Sequence, residues 1–273
     1  MATMTMQRPR SGVTEGSAER AGAVTPRAFG SAIICVIAAQ LSSTGAYSSL
    51  RDPLSGLAWT SQGWLFPLAL ALLAIGMLCA ATSLHRIRPH VGLAPVLLLA
   101  AGGAAGGVAA CFPADRAGVS LVSAGGEIHR WASLALLVLP TVAALRVSVI
   151  LGRTSPGRQG AALRHRLIAL IVATVVCGLV FLGGFLPALL HTDAPVFTWL
   201  ARLNGLAQRA LVLLVVLAAW LLGLLSRGPL TERVEQLESL QRAPAEHGVS
   251  GTGVPDAGGV ITARAQRPGR YRS

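Results

Sequence analysis

The amino-acid sequence predicts an all-α protein, a polytopic membrane bundle of six transmembrane helices. Charged residues make up 12% of the chain and hydrophobic residues 53%, whereas a soluble domain carries about 25% charge. The charges are bunched between long apolar runs. Six of these runs are long enough to cross the bilayer, which takes about 20 residues.

The six apolar runs predict where the helices lie and how they pack. They cover approximately residues 28–47, 64–84, 91–112, 131–151, 167–190 and 205–226. The fourth contains Pro140, which predicts a kink. The third carries two overlapping pairs of small residues four positions apart, a spacing that lets a neighbouring helix approach closely: Gly102 with Gly106, and Gly103 with Gly107.

Composition separates this membrane domain, residues 28–227, from two polar tails. We expect residues 1–27 to be a disordered cytoplasmic tail, because they are rich in small and polar residues with little to bury. Residues 228–273 form a second cytoplasmic tail. Within it, 229–242 is predicted to be a short amphipathic helix, since its four aliphatic residues recur at spacings of three and four, and disorder follows.

The arginine distribution predicts the orientation. The chain has a net charge of +12 and no lysine. Most arginines lie in the tails and in the 85–90 and 152–166 loops, all on one side of the predicted bundle. By the positive-inside rule that side is cytoplasmic, so both termini are cytoplasmic. Arginines at helix ends favour anionic lipid as a partner and not nucleic acid. Heavy use of Ala, Gly and Arg without lysine indicates a bacterial, cytoplasmic membrane protein.

Acidic residues collect on the opposite, outer side. Asp52, Asp115, Glu127 and Asp193 are all the acids between the first and last apolar runs. Arg209 lies about one turn into the last helix, where a charge usually faces the bundle and finds a partner. We expect that partner to be Asp115, Glu127 or Asp193. In the simplest structural interpretation, His129 caps or hydrogen-bonds a loop, and Asp115 pairs with Arg209 to tie helices three and six together. The candidate outer pocket comprises Asp52, Ser55, Asp115, Glu127, His129, His191, Asp193, Asn204, Gln208 and Arg209.

Four short motifs in this outer region resemble a known family. They are Ser55-Gly56-Leu57-Ala58 after the first loop, Phe112-Pro113-Ala114-Asp115 after the third helix, Gly126-Glu127-Ile128-His129 opening the fourth, and Gly205-Leu206-Ala207-Gln208-Arg209 in the sixth. In their order and placement they resemble the bacterial domain of unknown function 998 family. The resemblance covers roughly residues 30–226 and implies a six-helix membrane domain without an assigned reaction. Gly56 departs from the pattern, which leads us to expect a polar or acidic residue there.

These observations favour a non-catalytic membrane component whose outward-facing polar pocket binds lipid or a small amphiphile, or which acts as a scaffold or in transport, beside another membrane protein. No cofactor or metal is predicted. One alternative is an outer-face hydrolase, with a metal such as Zn²⁺ held by His129, His191, Asp115 and Asp193. A second is a b-type haem protein with His129 and His191 as axial ligands. His129 precedes the fourth helix and His191 follows the antiparallel fifth, so both should lie at similar depth.

Overall fold

The apolar runs fold into helices, because in lipid each backbone polar group has to be satisfied within its own segment. The computed structural model describes residues 13–43, 47–116, 123–154, 158–185 and 195–225. Regular structure in these ranges is helical throughout. In chain order it comprises α1 (Val13–Ser42), a 3-10 helix (Leu54–Trp59), α2 (Leu65–Arg86), α3 (Arg88–Val91), α4 (Ala94–Cys111), α5 (Ala124–Thr154), α6 (Arg158–Gly183), α7 (Pro195–Arg202) and α8 (Asn204–Leu225).

Six of these helices are long and apolar enough to cross a membrane, which confirms the predicted six-helix membrane fold. They are α1 from Ala23 onward, α2, α4, α5, α6 and α8. The short helices α3 and α7 lie between spans. The short helix α7 was not predicted from the sequence, although Pro195 at its first position suits a helix start.

Helix α1 differs from the predicted first segment at both ends. It begins at Val13, within the residues assigned to the tail, and ends at Ser42 instead of residue 47. The hydroxyls of Ser42 and Ser43 donate to the carbonyls of Ala39 and Gln40, at 3.0 and 2.7 Å. These bonds occupy carbonyls of the last helical turn, where α-helical partners run out, and the Gln40 carbonyl also accepts the Ser43 N–H at 3.4 Å. The amphipathic helix predicted at 229–242 lies outside the described residues.

Helix α4 is packed between α2 and α5 through its glycines. A Cβ atom at Gly102 would lie 2.9 Å from the Pro140 ring of α5, and one at Gly103 would lie 3.1 Å from the Ala74 carbonyl of α2. Gly106 also meets α5, whereas Gly107 faces open space. Three of the four predicted small residues therefore allow close approach. Helix α5 continues through Pro140.

The buried core is shared by α2, α4, α5 and α8, with α1 packed on α2 and α6 packed on α8. Met77, Leu99, Val147 and Leu222 are among its fully buried side chains. Helix α6 is the least enclosed span: 17% of its apolar window is buried, compared with 50% for α2. Most of α6 therefore faces the surroundings of the bundle, which in a bilayer are lipid chains.

Candidate functional site

One end of the bundle holds all the described residues of the predicted pocket. Here α1 and α4 finish, and α2, α5 and α8 begin. We call it the loop end, formed by residues 47–64, 112–116, 123–131 and 203–209. The opposite end carries Arg86, Arg153, Arg164 and Arg166, and we call it the arginine end. The loop end contains two polar arrangements, one around Arg209 and one around His129.

Arg209 ties the start of α8 to the chain that follows α1. Its Nη1 donates to the backbone carbonyls of Gly205 at 2.7 Å and Asp52 at 3.1 Å. Its Nε donates to Gln40 Oε1 at 3.3 Å, and its Nη2 donates to the Tyr47 hydroxyl. A guanidinium has five N–H groups, so four contacts leave little of it for a ligand.

The expected ion pair between Arg209 and Asp115 is not formed. Carbonyl, amide and phenol oxygens surround Arg209 among the described residues. The Asp52 carboxylate is also engaged elsewhere, because its Oδ2 accepts a 2.6 Å hydrogen bond from the Ser48 backbone N–H. The prediction considered carboxylates alone. Several neutral oxygens can solvate a buried guanidinium together, which removes the need for one opposite charge.

Backbone contacts join the same loop to α8 at two further points. The Leu54 N–H donates to Gln208 Oε1 at 2.7 Å, and the Leu206 N–H donates to the Leu50 carbonyl at 3.2 Å. Gly205 lies at the crossing, where a Cβ atom would sit 2.5 Å from the Asp52 carbonyl oxygen. A side chain at this position would push the loop away from the helix.

Tyr47 lies beneath Arg209, with the guanidinium carbon 5.6 Å from the ring centroid. Its hydroxyl accepts from Arg209 and donates to the Pro53 carbonyl at 3.2 Å, an arrangement that requires the neutral phenol. Burial raises the pKa of Tyr47, and the neighbouring Arg209 opposes that rise. The ring also explains Gly56, because a Cβ atom there would lie 3.2 Å from it.

His129 joins α5 to the end of α4. The residue is 6% exposed, and its Nδ1 lies 2.8 Å from the Phe112 carbonyl and 3.0 Å from the Ala109 carbonyl. Both oxygens are acceptors, so we assign the proton to Nδ1. In the neutral ring Nε2 is then an acceptor, and it has no hydrogen-bond partner among the described residues. His129 thus caps α4 through Nδ1, and its Nε2 is unpaired among the described residues.

A cavity of about 290 Å³ lies beside His129. It extends between the residues that lead into α2 and the end of α4. Its walls are apolar apart from the histidine, and they include Ala58, Trp64, Phe66, Ala110, Phe112 and Pro113. Ligand sites in proteins typically measure about 300–1,000 Å³ and are mostly apolar with a few polar groups. The cavity therefore has the size and composition of a small-ligand site.

Asp115 organises the start of α5. Its two carboxylate oxygens accept hydrogen bonds from the Ser123 N–H at 3.0 Å and the Ser123 hydroxyl at 2.6 Å. The Ser123 hydroxyl in turn accepts the Gly126 N–H at 2.9 Å, as at a helix N-cap. A Cβ atom at Gly126 would overlap the Asp115 carboxylate. Asp115 is thus part of a helix-capping arrangement.

Tryptophan and arginine side chains lie at the rim of the loop end. Trp59 donates to the Ala114 carbonyl at 3.1 Å, and the Arg116 guanidinium lies 4.6 Å from the centroid of its ring. Glu127 pairs with Arg130 and accepts from the Trp131 indole at 2.7 Å. Since Arg130 is largely exposed, this group belongs to the surface of α5 and not to the cavity.

Four residues of the predicted pocket remain: Ser55, Asn204, His191 and Asp193. Ser55 is half-buried in the 3-10 helix. Asn204 is 8% exposed and packs against Gly184, and its Oδ1 has no hydrogen-bond partner in the structure. His191 and Asp193 lie outside the described residues. Both the hydrolase and the haem alternatives depend on His191, so they stay predictions.

Within the ranges that the structure describes, no three His, Cys, Asp or Glu side chains come close enough together to hold a metal ion. Two of the four residues named for the hydrolase, His129 and Asp115, act as caps. Their hydrogen bonds go to carbonyl groups and to Ser123 respectively.

The sequence analysis missed Gln40 and Tyr47 as partners of Arg209. Gln40 is a polar side chain near the end of an apolar run, which by itself points to a buried contact. Tyr47 is one of two tyrosines in the chain. These features of the sequence were visible, but they do not identify which residue of another helix Gln40 and Tyr47 contact.

Taken together, the helices and the loop end define a multi-pass membrane protein whose first loop is hydrogen-bonded to its last span. A family model described as "Protein of unknown function (DUF998)" matches residues 27–227. The chain therefore belongs to this family, and the matched region covers the first span from residue 27 onward and the other five spans in full. No curated protein and no solved structure matches the chain.

Proposed function

We propose that this protein is a non-catalytic membrane component that binds a small amphiphile in the cavity beside His129. The observation that carries the proposal is the free Nε2 of His129 at the wall of an apolar cavity of about 290 Å³. Arg209 and Asp115, by contrast, are engaged in tying helices and loops together.

The tautomer of His129 suggests the chemical class of the ligand. Since Nδ1 donates to the end of α4, the neutral ring presents an acceptor at Nε2. A suitable ligand offers a hydroxyl or another hydrogen-bond donor, joined to an apolar part that contacts Phe66 and Phe112. A long-chain alcohol or a monoacylglycerol has this chemistry.

We also propose that the loop end faces outward from a bacterial cytoplasmic membrane. The positive-inside rule supports this orientation, because the arginine end has the greater number of basic residues. A ligand would then enter from the outer leaflet. Contact with anionic lipid at the inner face and with another membrane protein belongs to the same proposal.

Binding is tested with a bromine-bearing alkyl alcohol, which quenches tryptophan fluorescence, and with its methyl ether. Trp64 lines the cavity. We expect saturable quenching by the alcohol in the detergent-purified protein. The ether cannot donate to Nε2 and should bind about fivefold more weakly, the value of one hydrogen bond.

Two variants complete the test. His129→Asn keeps a donor for the α4 carbonyls but loses Nε2, so it should bind alcohol and ether equally. Ala110→Phe fills the cavity and should abolish saturable quenching, whereas Ala104→Phe, on the exposed face of the same helix, should not. If the native protein binds alcohol and ether alike, or if Ala110→Phe binds normally, the proposal is wrong.

A further inference from the structure

A groove between α6 and α8 lies at the arginine end, away from the cavity beside His129. It has a volume of about 490 Å³. Helix α6 contributes Arg166, Ala169 and Leu170, and α8 contributes Leu217, Trp220, Leu221 and Leu224. These positions recur at spacings of three and four, so each helix presents one continuous face to the groove.

Among the described residues that line the groove, Arg166 is the only charged one. Its side chain is exposed and has no hydrogen bond or ion pair with any described residue. It stands at the polar end of the apolar part of α6, with leucines and an alanine extending from it toward the middle of the span. A guanidinium at this depth suits a phosphate group, which it can bind through two parallel hydrogen bonds.

The charge around the groove favours an anionic occupant. Between Glu19 and Glu232 the sequence has four acidic residues. Asp52, Asp115 and Glu127 lie at the loop end, and Asp193 belongs to the connection that leads to it. The arginine end meanwhile carries Arg153 and Arg164 near Arg166 in sequence. The described residues that line the groove include no carboxylate to receive the second cation of a zwitterionic headgroup.

We infer that the groove between α6 and α8 binds one anionic phospholipid, with its phosphate on Arg166 and an acyl chain along Ala169, Leu217 and Leu221. Trp220 lies beside the chain at the depth where indole rings favour the membrane interface. Basic pockets between spanning helices bind acidic lipid headgroups in this way. The low burial of α6 is consistent with a lipid as its neighbour.

The inference is tested by native mass spectrometry of the full-length protein in detergent, titrated with phosphatidylglycerol or with phosphatidylcholine of the same chain length. We expect one retained phosphatidylglycerol and weaker retention of phosphatidylcholine. Arg166→Gln should lower the phosphatidylglycerol affinity about fivefold, as expected for one arginine near a membrane surface. Thermal unfolding of each variant verifies that it is folded.

Two further variants distinguish a specific lipid site from nonspecific electrostatic attraction of anionic lipid to the arginine end. Arg153→Gln removes the same charge from the end of α5 and should leave the affinity within about twofold. Ala169→Phe keeps Arg166 but fills the groove, and should lower the affinity as well. Equal effects of Arg166→Gln and Arg153→Gln, unchanged affinity in Ala169→Phe, equal retention of the two lipids, or a protein dimer that Ala169→Phe disrupts would each overturn the inference.

Discussion

Arg209 shows how neutral groups can hold a cation of the last span: its partners among the described residues include no carboxylate. Carbonyls of two segments, an amide and a phenol divide its hydrogen bonds among them. Two of these groups, the Asp52 carbonyl and the Tyr47 hydroxyl, belong to the loop that follows α1. The arginine therefore stabilises the loop as much as the loop stabilises the arginine.

Replacing Arg209 should destabilise the folded protein. Arg209→Gln removes several charge-assisted hydrogen bonds, each worth about 1.5–3 kcal/mol, and we expect a loss of about 3 kcal/mol in the free energy of unfolding. Arg209→Lys keeps the charge but not the planar fork, so its loss should be smaller. Chemical unfolding in detergent measures both. Arg202→Gln, at the exposed end of α7, is the control, and an equal loss there would contradict the structural role of Arg209.

Tyr47 should titrate abnormally. Its raised pKa means that the folded protein holds the phenolic proton more tightly than the unfolded chain. The resulting stability is fully present below about pH 10 and is lost as pH rises through the folded-state pKa. Ultraviolet absorbance of tyrosinate follows the titration. The chain has two tyrosines, so the difference between native and Tyr47→Phe spectra isolates Tyr47. A difference spectrum with an ordinary midpoint would contradict the predicted shift.

At this scale the sequence reveals types of residue better than their partners. The location of Arg209 in the bundle could be predicted from the free-energy cost of a charge in lipid alone. Naming its partners required the path of the loop after Ser42, which depends on contacts with a helix more than 150 residues later. His129 and Asp115 were likewise found as polar residues near apolar walls. A capping role was predicted for His129, but no residue pattern shows which carbonyl and N–H groups His129 and Asp115 bind.

At the scale of elements, the structure gives a physical reason for two glycines in the four motifs that carry the family resemblance. Gly126 leaves room for the Asp115 carboxylate at the start of α5, and Gly205 leaves room for the Asp52 carbonyl at the start of α8. In both cases a helix begins where another segment of chain passes within contact distance. The motifs therefore describe how loops meet helix ends, which explains why they identified the family without indicating a reaction.

Helix α4 offers a matched pair of substitutions. A Cβ atom at Gly103 would lie 3.0 Å from Leu78 Cγ and 3.2 Å from Met77 Cβ. We therefore expect Gly103→Ala to cost about 1–3 kcal/mol, as overpacking usually does. Gly107 has no atom within 4 Å, and Gly107→Ala should be neutral or stabilising by up to about 1 kcal/mol. Thermal unfolding compares the two, and equal effects would show that α4 does not pack as described.

The spans themselves were predictable because transfer into lipid depends on local composition. Long apolar runs predicted all six, whatever their neighbours. Their ends were less predictable: α1 stops at Ser42 because serine hydroxyls occupy the last carbonyls, and α5 begins at Ala124, seven residues before the apolar run, because Ser123 caps it. Helix α7 is short and was missed because it does not cross the bilayer.

At the scale of the whole molecule, an even number of spans brings the start of the first span and the end of the last span to the same side of the membrane. We expect that side to be the cytoplasm. Single cysteines test this after Cys35, Cys79, Cys111 and Cys177 are replaced by alanine. In intact cells a membrane-impermeant maleimide should label Arg51→Cys and not Arg153→Cys, while permeabilised cells should show both. Labelling of Arg153→Cys alone in intact cells would reverse the orientation.

The bond between the first loop and the last span has a consequence for biosynthesis. The carbonyls of Leu50 and Asp52 emerge early during synthesis, but their partners, Leu206 N–H and Arg209, are made only when the final span is translated. Until then the early loop has no means of completing its hydrogen bonds. Folding of the bundle is therefore completed by the sixth helix. A chain truncated before Asn204 would expose loop carbonyls without their hydrogen-bond partners, a difference by which cellular quality control can distinguish it from the mature protein.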